Sequence, residues 1–233
     1  MVEVRLAGPG KNALGTKMIQ SVLDQVEAAK GEPILFTGEG DAFSAGLNLK
    51  EVEGLDPEGM DVFLSRLESF FRTIWLYPGP TVAAVNGHAI AGGCILAMCC
   101  DHAVATTNPK ARIGLNEVAI GLRFPPALLR FVQHSVPPQH HNEVVLGAGL
   151  HAPEHALRLG LVHAVSDDPI AAATARLNAW AKHESDAYAA TKRDLRQGIM
   201  DATAEEAAAF QQEVVPFWTS PELKAKIRAI LGG

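Results

Sequence analysis

Two glycine-containing loops carry residues that could do chemistry through their backbone. Each follows a short apolar stretch that reads as a buried strand, and the loops run Phe43-Ser-Ala-Gly-Leu47 and Ile90-Ala-Gly-Gly-Cys94. If the two strands are neighbours, the N–H groups of Ala45 and Gly92 converge on one oxygen atom. A pair of backbone donors stabilises an oxyanion, and one such donor lowers a barrier by about 3 to 4 kcal/mol. Glycine turns after strands are also common without this role, so the spacing alone leaves both interpretations open.

The second loop belongs to an apolar segment, residues 80–101. Residues 81–85 read as a short strand, and Asn86-Gly87 is a turn signal because both residues tolerate positive φ. Gly92 and Gly93 then lead into an apolar helix, and free N–H groups at a helix start can face a ligand. Residues 73–100 contain no Asp, Glu, Lys or Arg, but their prolines and glycines favour strand and turn over a membrane helix.

The composition is that of an ordinary globular protein. The chain has 233 residues, of which 48% are hydrophobic and 20% charged, enough for one large domain or a domain with an appendage. A net charge of −6 without a Lys/Arg cluster argues against nucleic-acid binding. Cys94, Cys99 and Cys100 share one apolar helix, which argues against a disulfide framework. No signal-peptide pattern opens the chain, so we expect a cytoplasmic protein that does not enter a membrane.

Strand and helix patterns alternate through residue 166, and only helical patterns follow. We therefore predict an α/β core over residues 1–166 and a helical C-terminal region over residues 167–233. The core contains two polar loops, residues 38–50 and 55–59, and a predicted helix over residues 138–146. Apolar residues of the helical region either form an oligomer contact or cover the chain's own core, and the pattern leaves both open; they are Phe210, Val214, Phe217 and Trp218.

Seven segments with recognisable motifs appear in order along nearly the whole chain. They are Asn12-Ala-Leu14, residues 38–50, Ala83-Ala-Val-Asn-Gly-His88, Ala91-Gly-Gly-Cys94, Cys100-Asp101, Ile113-Gly-Leu-Asn-Glu117 and residues 152–161. Each motif alone is weak. Together they resemble the crotonase, or enoyl-CoA hydratase/isomerase, superfamily.

The resemblance implies a fold, an assembly and a site. The fold is α/β, a crotonase-like spiral of ββα turns with a C-terminal helical region, assembled as a homotrimer or a dimer of trimers. The oxyanion N–H groups would come from Ala45 and Gly92. Lys11 would lie near the nucleotide phosphates of CoA, with a solvated surface lysine as the equal alternative. The substrate would be an acyl-CoA thioester, so we expect no separate cofactor and no metal; further contacts to CoA would come from Ala45, Gly46, Leu47 and Asn48.

Carboxylates decide which reaction of this superfamily the chain resembles. A hydratase uses two glutamates, and the first of those positions is Ile95 here, which cannot carry a proton. The second position is Glu117, and one carboxylate suffices to move a proton between C2 and C4 of an enoyl thioester. The motifs most resemble those of Δ3,Δ2-enoyl-CoA isomerases of fatty acid metabolism. We therefore expect Glu117 to be catalytic and partly desolvated, with a raised pKa.

Three alternatives stay open for Glu117 and for the reaction. The side chain could only cap a helix in a turn. A hydratase, or another enolate reaction, would need a second acid or base, for example from a loop over residues 51–58. A non-catalytic acyl-CoA binder is favoured if Glu117 is exposed or points away from Ala45 and Gly92.

Histidines provide the remaining candidate site. His151 and His155 are four residues apart, and His140 and His141 are neighbours. No third ligand is evident from the sequence, so surface histidines are the favoured interpretation and no metal site is predicted.

Overall fold

The computed structural model describes residues 1–232 and contains two parallel sheets. The larger has the strand order β1-β2-β4-β6-β8, and the smaller has the order β3-β5-β7. The strands are β1 (Val2–Leu6), β2 (Ile34–Gly38), β3 (Ala42–Ser44), β4 (Thr81–Val85), β5 (His88–Ile90), β6 (His102–Thr106), β7 (Ile113–Gly114) and β8 (Ala164–Ser166).

Helices fill the connections and the C-terminal region. In chain order they are α1 (Pro9–Asn12), α2 (Thr16–Ala28), α3 (Leu49–Gly54), α4 (Pro57–Trp75), α5 (Gly92–Cys99), α6 (Glu117–Ile120), α7 (Pro126–Ser135), α8 (Pro153–Arg158), α9 (Pro169–Trp180), α10 (Ser185–Arg196), α11 (Ala204–Glu213), α12 (Val215–Trp218) and α13 (Pro221–Gly232). A 3-10 turn spans Pro138–His140, and a π-helical turn spans Asn142–Leu146.

A repeated strand-strand-helix unit generates both sheets. The first strand of each unit (β2, β4, β6) joins the larger sheet, and the second (β3, β5, β7) joins the smaller one. Strands β2 and β4 are buried along their whole length, which explains why they read as continuous apolar runs. The predicted α/β fold with a ββα repeat is confirmed.

The Asn-Gly turn after β4 fastens neighbouring units together. Asn86 accepts a hydrogen bond from the Gly38 N–H at 2.9 Å and donates one to the Gly40 carbonyl at 3.0 Å. A Cβ on Gly87 would lie 1.9 Å from the Asp41 carbonyl oxygen. Only glycine therefore allows this close approach of two backbones.

A buried charge cluster joins the C-terminal region to the larger sheet. The Asp101 carboxylate lies 2.8 Å from both Lys192 and Arg196 of α10. It also accepts hydrogen bonds from the Thr81 N–H and the Tyr188 hydroxyl, each at 2.7 Å. Two cations and two neutral donors compensate the desolvation of this carboxylate, which fixes α10 against the start of β4.

Several predicted elements differ from those observed. Residues 49–54, expected in a loop, form helix α3, because Asn48 caps its start by accepting from the Glu51 N–H at 3.3 Å. Residues 138–146, expected to form a helix, form only the 3-10 and π-helical turns. Val214 and Trp218 are 1% and 3% exposed, so these two residues cover the chain's own core. Within residues 1–232, no helix is both long enough and apolar enough to cross a membrane.

Candidate active site

A cavity of about 560 Å³ lies where the predicted loops meet. Its walls come from the turn before α2, the loop between β3 and α3, the end of β5 and the start of α6. The C-terminal helix α13 contributes Ile230 and Leu231. Most of the lining is apolar; the polar or charged side chains that line it are Asn48, Lys50, Asn116 and Glu117.

The short element α1 is not a regular helix, because Gly10, Lys11 and Asn12 form a left-handed turn that supports the loop between β3 and α3. All three residues have positive φ, and the Asn12 amide donates to the Glu39 and Ala42 carbonyls at 2.9 Å each. These bonds hold the turn against β3 and set the path of the following backbone.

A carbonyl of the same turn accepts a hydrogen bond from the Ala45 N–H, which the sequence suggested as an oxyanion donor. The Ala45 N–H donates to the Lys11 carbonyl at 3.0 Å. The prediction for Ala45 as a donor is therefore wrong, because this N–H already has an acceptor within the protein. Ala45 does line the cavity.

In this loop, the N–H group without an acceptor among residues 1–232 belongs to Leu47. A parallel bridge pairs Leu14 with Leu47: the Leu14 N–H donates to the Gly46 carbonyl at 2.7 Å, and the Asn48 N–H donates to the Leu14 carbonyl at 3.1 Å. In such a ladder the N–H of the bridged residue points away from its partner. The Leu47 N–H has no acceptor among residues 1–232. Sequence reasoning placed Leu47 in the site but missed this role.

The second predicted donor, Gly92, is free at the start of α5. Its N–H has no acceptor in the part of the chain that the structure describes, as is usual for the first turn of a helix. Ala91 before it has φ 50° and ψ −120°, a strained backbone for a residue with a side chain. A Cβ on Gly46 would lie 3.4 Å from the Gly92 nitrogen, so the two loops are in contact.

Glu117 is the buried carboxylate of the cavity. It is 9% exposed, and no hydrogen-bond partner of its Oε2 atom lies within residues 1–232. Burial raises the pKa of Glu117 to about 7, against a smaller lowering by its own backbone N–H. No side-chain hydrogen bond caps the start of α6, so the structure does not support the alternative that Glu117 only caps a helix. Asn116 beside it also has a buried side-chain oxygen without a partner in the described chain.

Three of the four carboxylates of residues 51–58 have partners away from the cavity. Glu51 accepts a hydrogen bond from the Thr16 N–H at 3.1 Å, and Asp56 accepts one from the Gly59 N–H at 2.8 Å. Glu53 forms an ion pair with Arg228 of α13 at 2.9 Å. None of these carboxylates lines the cavity.

Leu47 and Asn48 line the cavity, whereas Lys11 does not. Lys11 forms an ion pair at 2.9 Å with Asp41, and its side chain is 52% exposed. Gly46 is buried behind the lining, with φ +88°. The CoA contacts of these residues stay predictions.

Known proteins resemble this chain over nearly its whole length. The family model described as enoyl-CoA hydratase/isomerase matches residues 1–227. The mitochondrial enoyl-CoA delta isomerase 1 of Mus musculus is 25% identical over 98% of this chain and 81% of its own. The 2,3-dehydroadipyl-CoA hydratase of Escherichia coli K12 is 30% identical over 80% of this chain and 74% of its own.

Solved structures share the fold. The human mitochondrial delta3-delta2-enoyl-CoA isomerase superposes with a TM-score of 0.92, covering 99% of this chain and 93% of that one, at 22% identity. The predicted crotonase-like architecture is confirmed by this likeness.

Proposed function

The chain belongs to the enoyl-CoA hydratase/isomerase family, and from this premise we propose that it converts 3-enoyl-CoA thioesters into the conjugated 2-enoyl-CoA. Two features of the cavity support this reaction. One buried carboxylate, Glu117, lines it, and the two N–H groups without an acceptor among residues 1–232, those of Leu47 and Gly92, belong to two loops that contact each other.

The two N–H groups bind the thioester oxygen in the proposed mechanism. They stabilise the negative charge that develops on this oxygen when C2 loses a proton, and each contributes about 3 to 4 kcal/mol. The helix start at Gly92 adds the positive end of the α5 dipole. Leu47 and Gly92 thus lower the barrier to forming a dienolate.

Glu117 carries the proton. Its carboxylate takes a proton from C2; the C–H electron pair forms the C1–C2 double bond of the dienolate, and the C1–O π electrons move onto the thioester oxygen. When the charge returns from the oxygen, the C1–C2 π electrons form the C2–C3 double bond, and the C3–C4 π electrons take the proton back from Glu117 at C4. No atom is gained or lost, so the reaction needs neither water nor a redox cofactor. A pKa of about 7 suits a group that must both accept and return a proton near neutral pH.

The proposal rests above all on the carboxylate content of the cavity. Among residues 1–232, Glu117 is the only Asp or Glu that lines it. Ile95, at the position of a hydratase's first glutamate, is 2% exposed within α5. Water addition would need a second acid or base, whereas isomerisation needs one.

Hydration of a 2-enoyl-CoA is the second candidate function. The 30% identity with the 2,3-dehydroadipyl-CoA hydratase of Escherichia coli favours it. The lone carboxylate of the cavity argues against it.

An assay with two substrates distinguishes these functions. A 3-enoyl-CoA gains absorbance on conjugation, and a 2-enoyl-CoA loses it on hydration. We expect conjugation without hydration, and a loss of about 10² to 10⁴-fold in Glu117→Gln. Glu27→Gln, an exposed change on α2, serves as the matched control and keeps full activity. Hydration by the unaltered protein would contradict the proposal; binding of CoA esters without either reaction would favour a non-catalytic binder.

The assembly and the location of the protein are further expectations. We propose the homotrimer or dimer of trimers that the family resemblance implies, and light scattering on the purified chain measures it. A cytoplasmic location stays a prediction.

A further inference from the structure

Three side chains with metal-binding atoms meet outside the active-site cavity. Glu143 lies in the π-helical turn, His155 lies in α8, and His151 lies two residues before that helix. Their ligand atoms all lie within 4.8 Å of one another. The sequence showed the two histidines, and the fold supplies the third ligand.

The geometry approaches that of a coordination sphere. The His155 Nε2 atom lies 3.1 Å from the Glu143 Oε1 atom. Ligand atoms around a tetrahedral zinc ion lie about 3.3 Å apart, given metal–ligand distances near 2.0 Å. The side chains of His155 and Glu143 are 40% and 48% exposed, so both can rotate to close the remaining gap to His151.

His151 supplies a second observation. Its Nε2 atom is buried and has no hydrogen-bond partner among residues 1–232. The contact between His155 and Glu143 is exposed, and it leaves the His151 Nε2 atom without a partner. A shared cation satisfies all three side chains.

We propose that Glu143, His151 and His155 form a binding site for a zinc-type divalent cation. Two imidazoles and one carboxylate suit zinc, and a fourth position stays open to a water molecule. The other histidine pair does not offer the same arrangement. His141 Nε2 already lies 2.9 Å from the Val136 carbonyl oxygen and 3.1 Å from that of Gln133.

The cation has a structural role, because none of its three ligands lines the cavity. The His151 backbone exchanges two hydrogen bonds of 2.9 Å with Ile113 of β7. A bound cation therefore fastens the π-helical turn to the edge of the smaller sheet. It takes no part in the proton transfer.

Zinc binding to the full chain tests the site. The chain is first stripped of metal with a chelator, and zinc chloride is then titrated by calorimetry in competition with a chromophoric chelator. We expect one zinc ion per chain. Glu143→Gln and His155→Asn, both exposed positions, should each weaken binding by at least about tenfold. His140→Asn is the matched control and should leave the affinity unchanged.

Cobalt(II) gives an independent readout. A four-coordinate site should produce visible d–d absorption bands that disappear in Glu143→Gln and His155→Asn. Three results would each overturn the site: no zinc binding by the unaltered chain, unchanged affinity in both variants, or an equal loss in His140→Asn. Circular dichroism of the variants confirms that they are folded.

Discussion

Ionised Glu117 should lower the free energy of unfolding at neutral pH. Its pKa rises from the ordinary 4.5 to about 7 in the folded state because burial disfavours the ionised carboxylate. The folded protein therefore binds this proton more tightly than the unfolded chain does. The stability that the protonated form provides is complete below about pH 4.5 and is lost as the pH rises to about 7.

The magnitude follows from these two pKa values. The unfavourable free energy is about 1 kcal/mol at pH 5 and about 3 kcal/mol at pH 8.5. Replacing Glu117 by Gln removes the ionisation but keeps the size of the side chain. The free energy of unfolding of Glu117→Gln minus that of the unaltered protein should therefore rise by about 2 kcal/mol from pH 5 to pH 8.5. Its activity should be low at both of these pH values.

Urea denaturation followed by tryptophan fluorescence measures this difference. Each protein is unfolded at pH 5 and at pH 8.5, and the free energies of unfolding are compared at each pH. Because all other titrating groups are shared, the change in the difference isolates Glu117. Glu27→Gln, at an exposed position, should show no such change. A difference between Glu117→Gln and the unaltered protein that stays constant within about 0.5 kcal/mol would refute a desolvated carboxylate.

Four further substitutions test the site and the fold. Gly46→Ala forces positive φ on a residue with a side chain and puts a Cβ 2.7 Å from the Ile90 carbonyl oxygen. Turnover of 3-enoyl-CoA should fall, and the free energy of unfolding measured in urea should fall by about 1 to 3 kcal/mol. Asp101→Ala leaves two buried cations without their carboxylate and should lower the free energy of unfolding by about 3 to 5 kcal/mol, measured through the melting temperature. A fall in melting temperature smaller than that of an exposed Asp→Ala change would contradict this prediction. Gly87→Ala should severely destabilise the chain, because its Cβ would lie 1.9 Å from a backbone oxygen. Gly54→Ala in α3 meets nothing within 4 Å and should raise the free energy of unfolding by about 0.5 to 1 kcal/mol. Equal melting temperatures of the two variants would refute this contrast.

Patterns that repeat along the chain could be predicted from the sequence. The apolar positions of α4 recur at helical spacing, and the strands buried in parallel sheets read as continuous apolar runs. Motifs also pointed to Glu117, which lines the cavity, and to Gly92, which begins α5; their catalytic roles stay predictions. These features depend on local sequence or on motifs of the family.

Contacts between distant segments could not be predicted. Ala45 and Leu47 are two residues apart, and in extended backbone their N–H groups point to the same side. What separates their roles is the Lys11 carbonyl, which comes from a left-handed turn far away in the sequence and accepts from Ala45. Glu143 joins the two histidines only because the π-helical turn folds back on α8. The spacing of residues along the sequence predicts neither contact.

The central claim is that one carboxylate and two N–H groups act on the same thioester. A crystal structure of Glu117→Gln with a bound 3-enoyl-CoA tests it most directly, because this variant should bind the substrate without converting it. The thioester oxygen should lie about 2.7 to 3.1 Å from the Leu47 and Gly92 nitrogens, with the substituted side chain at position 117 facing C2 and C4. A thioester oxygen bound elsewhere, or a substrate whose C2 faces away from position 117, would contradict the account.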